Sequence, residues 1–189
     1  MRRSSLRTSR ASAAPPRSVY RKIQIALSEA RRSKADSLQA LVTQIRQRGH
    51  LDFTCFKVID GSVETVSCSE GAVFRTVKLC VDLGLIDDTD GRLTKHGMAA
   101  ADPDKFDKVM RRLLTGALKR FGTPLDGIRG VISDLLANYE ANVLPTWEAV
   151  YDRLGAPGGN AGRDTFRIYL SLLSACQGID YSRKKIYLP

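Results

Sequence analysis

The spacing of apolar residues between two proline-marked starts constrains this chain more than any other feature. Asp102-Pro103 opens a run in which Phe106, Met110, Leu113, Leu114, Ala117 and Phe121 fall on one helical stripe, and Gly122 closes it. An Asp side chain accepts from free amides at a helix start, and Pro is tolerated at the first helical position, so the run predicts one long helix with a buried face. Thr123-Pro124 repeats the signal at once, followed by Leu125, Ile128, Ile132, Leu135, Leu136 and Tyr139. A chain punctuated this way is predicted to be mainly α.

The remaining elements follow by the same reasoning. Val19, Ile23, Ala26, Leu27 and Ala30 predict a helix over 18–32, and Leu38, Leu41, Val42 and Ile45 a second over 35–48 that stops at Gly49. Residues 50–66 fit either a short helix or strands, and a short helix followed by a loop is expected. Val73, Val77, Cys80 and Val81 then carry a helix from about Ser69 to Gly84. Beyond it, 85–88 and 92–94 flank Asp90-Gly91, which suits a turn needing positive φ and predicts a two-stranded hairpin. Thr146 caps a short helix over 147–154, and GAPGGNAG reads as a connector. A helix over 164–177 follows, with Phe166, Tyr169, Leu170 and Leu173 inward. Ile179 and Tyr181, then Ile186 and Leu188, predict a closing hairpin around Arg183, Lys184 and Lys185.

Charge is distributed unevenly. The 189 residues carry a net charge of +10, and residues 1–48 hold twelve of the thirty Lys and Arg but only Glu29 and Asp36 among twenty acids. The rest of the chain is neutral in sum. Residues 1–17, with Arg2, Arg3, Arg7, Arg10 and Arg17 and almost nothing to bury, are expected to be a disordered basic arm suited to a polyanion. Their Arg, Ser and Ala content without acid also fits an organellar transit peptide.

Chemistry finds little foothold. Cys55, Cys68, Cys80 and Cys176 form no CxxC pair, and only His50 and His96 could join them, so no metal site, cofactor or disulfide is expected. Thiols in apolar patterns suggest a reducing interior, cytoplasmic or nuclear. GAPGGNAGRDT lacks the spacing and preceding strand of a phosphate loop, and no nucleophile elbow or paired acid and base is present, so no enzyme is expected. Trp147 and Tyr151, four residues apart, are expected in the core.

Side by side, RTVKLCVDLGLIDDTDGRLTKHG and RIYLSLLSACQGIDYSRKKIYLP each run from an Arg through an apolar ladder to a Gly and a returning strand. The order helix, short helix, helix, hairpin thus occurs twice. It resembles the winged helix-turn-helix superfamily, over about residues 35–100 and 123–189, with 18–34 an N-terminal helix and 101–122 a connecting helix. The resemblance implies tandem winged domains that bind DNA, with Ser69, Arg75 and Lys78 on the first reading helix. Arg163 and Arg167 would lie on the second, and Arg183, Lys184 and Lys185 on its wing. A scaffold subunit that pairs with itself or a partner protein through the first unit, or an RNA-binding protein, is the alternative. No membrane partner is expected.

Overall fold

A computed structural model describes residues 17–59, 62–66, 70–138, 145–155, 158–176, 179–182 and 185–187. Its helices are α1 (Arg17–Arg32), α2 (Leu38–Gln47), α3 (Glu70–Asp82), α4 (Lys95–Ala100), α5 (Pro103–Arg120), α6 (Leu125–Asn138), α7 (Trp147–Arg153) and α8 (Gly159–Ala175). Strands β1 (Cys55–Ile59) and β2 (Ser62–Val66) pair antiparallel, as do β3 (Asp180–Ser182) and β4 (Lys185–Tyr187) over three residues each.

Helix α1 is the hub. Ile23, Ala26, Leu27 and Ala30 recur at intervals of three and four, which puts them on one face, and all four are buried. That face meets α2, α3, α4 and α8, so a helix expected merely to precede the first unit touches elements of both. Each large apolar side chain so buried contributes roughly 1.5–3 kcal/mol. Near its N-terminal end Tyr20 donates to the Asp107 carboxylate of α5 and sets its ring edge-on to Phe106, 4.7 Å between centroids. Burial, then the Asp107 carboxylate, pushes the Tyr20 hydroxyl above its ordinary range.

The other end of α1 is fixed by a charge. Glu29 is 2% exposed, and its carboxylate accepts from Gln44 Nε2 at 3.2 Å, with Arg48 Nε at 3.1 Å and His50 Nε2 at 3.2 Å. A buried carboxylate without partners would cost several kcal/mol, so these three groups must stay where they are. Gln44 in turn accepts from Ser33 Oγ at 2.8 Å, and Ser33 Oγ accepts from the Ala35 amide at 2.8 Å. One network therefore runs from the interior of α1 to the turn that carries Lys34.

Helices α5 and α8 are joined by a side-chain clamp on one carbonyl. Arg111 Nε and Nη2 donate to the Cys176 carbonyl at 3.1 and 2.6 Å. A guanidinium there satisfies a free carbonyl at the C-terminal end of α8 and complements its dipole.

Several expectations are corrected. Residues 85–94 form one isolated bridge, Ile86 to Leu93, in place of a two-stranded wing. The tip does not project, because Gly91, at φ +70°, lies so close that an added Cβ would stand 2.9 Å from the Ser37 carbonyl oxygen. Thr94 then caps α4, accepting from the Gly97 amide at 3.0 Å, where no helix was expected. Residues 51–53 form a single 3-10 turn, and 55–59 pair antiparallel with 62–66, where a short helix and loop were expected. Helix α8 begins at Gly159, inside the expected connector. A hairpin thus precedes α3 and a bridged turn with a helix follows it, whereas α6, α7 and α8 run on to β3 and β4. The two halves are not copies, and the tandem winged-helix architecture is set aside in favour of a mainly helical fold around α1.

Two glycine substitutions separate close packing from open helix. An added Cβ at Gly97 would stand 1.9 Å from the Leu85 carbonyl oxygen, whereas at Gly130 it meets nothing within 4 Å. In urea unfolding, Gly97→Ala should cost about 3 kcal/mol or more, and Gly130→Ala should stabilise by about 0.5–1 kcal/mol. Arg48→Ala, which strips the closest cation from Glu29, should cost about 2–3 kcal/mol by the same measurement.

Candidate functional site

The residues expected to contact nucleic acid are placed very differently from one another. Arg2, Arg3, Arg7, Arg10, Ser69, Arg183 and Lys184 lie outside the described residues. Arg17 opens α1, and Lys185 of β4 pairs in backbone register with Ser182. On α3, Lys78 lies 3.9 Å from Asp82 and 3.6 Å from Asp88. On α8, Arg163 donates to Asp152 at 2.7 Å and stacks 5.7 Å from the Tyr151 ring, and Arg167 lies 3.3 Å from Asp164. Such half-exposed pairs are each worth up to about 1 kcal/mol, which a phosphate would have to replace. Of the described candidates on these two helices, Arg75 alone is exposed and has no carboxylate within ion-pair distance.

Nor do α3 and α8 present separate reading faces. Phe74, Arg75, Lys78, Leu79 and Asp82 of α3 face Thr165, Ile168 and Tyr169 of α8 across one cleft of about 260 Å³. Phe74, 45% exposed, edges it. Two helices flanking one cleft cannot each enter a groove independently, so the docking mechanism expected from the resemblance fails.

A different cluster gathers where α1 ends. The network from Glu29 sets the turn 33–35, and the Gly91 contact with Ser37 brings the 85–94 turn alongside. Between them opens a recess of about 390 Å³, lined by Ala30, Arg31, Ser33, Lys34, Arg92, Leu93 and Met98. Three cations line it, and no carboxylate does among the described residues. Arg31 and Lys34 are exposed. Arg92 Nε stands 3.6 Å from Asp90 Oδ2, beyond hydrogen-bond length. The Asp102 carboxylate, whose field reaches Arg31, is held below its usual range first by Lys105 at 2.8 Å, then by the Asp104 amide, and only weakly by Arg31. Arg32, the next residue of α1, is also exposed but does not line the recess. Arg31 and Arg32 sit in the last turn of α1, where the helix dipole favours cations without consuming their charge.

Sequence reasoning counted Arg31, Arg32 and Lys34 in the basic N-terminal portion and did not select them as a site. Arg92 was read as a hairpin strand residue. Their meeting depends on contacts between segments some sixty residues apart, which local spacing does not encode.

Reactive groups are held inert. Burial pushes both the Cys80 thiol and the Cys176 thiol up to about 12. No cluster of His, Cys, Asp and Glu suited to a metal ion occurs among the described residues, and none of their helices is long and apolar enough to cross a membrane. Trp147 and Tyr151 are buried, Tyr151 5.2 Å from Phe166 between ring centroids. Compared with known proteins, the chain matches no protein-family model, no curated protein and no solved structure.

Because the folded thiols are raised above the ordinary value of 9.0, the unfolded state loses these protons first as pH rises. Their contribution to stability is complete below pH 9 and declines as pH climbs from there toward 12. Peptide mapping after alkylation at pH 8 should find Cys80 and Cys176 unmodified in the folded protein and fully modified in denaturant.

Proposed function

We propose that this is a nonenzymatic protein that grips the phosphate backbone of DNA through the cations around the recess at the end of α1, without wings and without a groove-entering helix pair. The observation that carries this reading is the contrast in pairing. Arg31, Lys34 and Arg92 converge on a surface without a carboxylate in its lining, Arg92 keeping only a 3.6 Å contact with Asp90, while Arg163 and Arg167 lie 2.7 and 3.3 Å from Asp side chains. An anion approaching the recess displaces no ion pair within hydrogen-bond reach and gains three charge-assisted contacts. Phosphate contacts of this kind fix position on a duplex but read no bases, so binding would be largely independent of sequence. The excess of Lys and Arg over acids in residues 1–48 supports the same partner, because it adds counterion release to the same side of the charge balance.

Fluorescence anisotropy with a 20-base-pair duplex, titrated between 50 and 200 mM salt, tests this reading. Replacing Arg31, Lys34 and Arg92 together by Ala should lower the slope of log affinity against log salt by about 2–3. Replacing Arg163 and Arg167 should lower it by less than about 1. Equal losses from the two sets, or an unchanged slope in the first, would refute the assignment.

A further inference from the structure

We infer that the recess seats a dianionic phosphate monoester, the terminal phosphate of a nucleic-acid strand, in preference to an internal phosphodiester. The inference rests on reading the recess as a phosphate site, and it goes further by naming which phosphate. Three cations, Arg31, Lys34 and Arg92, converge from two segments on one space of about 390 Å³. A diester brings one negative charge to them. A monoester brings about 1.5 to 2 at pH 7 and three free oxygens, so it leaves less of the mutual repulsion of the cations uncompensated.

The geometry of the donors agrees. Arg92 Nη1 and Nη2 have no acceptor among the described residues, which leaves a planar fork for two oxygens of one phosphate. Lys34, beside it in the recess, adds a point charge with three donors. Ser33 contributes shape and no donor, since its hydroxyl proton is committed to Gln44 and its oxygen to the Ala35 amide. The remaining wall is apolar: Ala30, Leu93 and Met98, the last 51% exposed. A thioether beside apolar side chains suits the base attached to a terminal phosphate. The space also exceeds what a phosphate alone fills.

The test compares two blunt duplexes of one sequence, differing only in 5′-phosphate or 5′-hydroxyl, with direct titration of AMP and adenosine followed by the Met98 methyl resonance. The phosphorylated duplex should bind at least about tenfold tighter. AMP should move the Met98 signal, and adenosine should not. Lys34→Ala and Arg92→Ala should remove the end preference, and Arg92→Lys should restore part of it. These side chains are exposed, and unchanged circular dichroism will confirm folding. Equal binding of the two duplexes, with no response to AMP, would overturn the inference while leaving backbone binding intact. A response to AMP without duplex binding would uphold the monoester site and refute the nucleic-acid reading.

Discussion

The carboxylate of Glu29, buried in the last turn of the hub helix, is the constraint on which the rest of the structure turns. A charge in that position is tolerable only if every partner stays in place, because losing one leaves most of the desolvation cost standing. Arg48 and Gln44 from α2 and His50 just beyond it are therefore bound to α1 in a single arrangement. Hydrophobic contact between the two helices would allow some sliding. The ionic cluster does not, and through Gln44 and Ser33 it also decides the path of the chain across residues 33–35.

Around that fixed point the helices are joined by polar bonds at their ends and by apolar packing along their middles. Tyr20 ties α1 to α5, and Arg111 ties α5 to the Cys176 carbonyl that ends α8. Met110, Leu114 and Leu118 fill the space between. This division has an electrostatic consequence. Cations on the helix surfaces are offset by Asp residues on the same helix or a neighbouring one, as with Lys78, Arg163 and Arg167. Where α1 ends, Arg92 joins Arg31 and Lys34 in lining a recess whose nearest acids, Asp90 and Asp102, stand outside it, and positive charge accumulates in a concave place.

The long helices could be read from the sequence because their signals are local. Asp102 with Pro103, Thr146 and the stripes of α1, α5 and α6 each act within a turn or two of the residues concerned. What could not be read was contact at long range. Asp90-Gly91 announced a turn correctly as chemistry, but the turn is held against Ser37 rather than extended as a wing. Lys95 to Ala100 received no element because six residues carry too little periodicity to declare a helix. The likeness between the two Gly-interrupted ladders lay in local order alone, and tertiary placement differs on either side of α5. The recess was invisible for the same reason: half of it was read as N-terminal charge and half as a hairpin.

The contact of Gly91 with Ser37 bears on how this protein can vary among its descendants. Surface turns ordinarily absorb added residues at small entropic cost. This one is strapped to the start of α2, and the strap sets how far Arg92 stands from Arg31 and Lys34. One residue gained or lost between Asp87 and Arg92 would swing the guanidinium off the recess while sparing every buried side chain. Such a lineage would keep its fold and change its charge pattern in a single step.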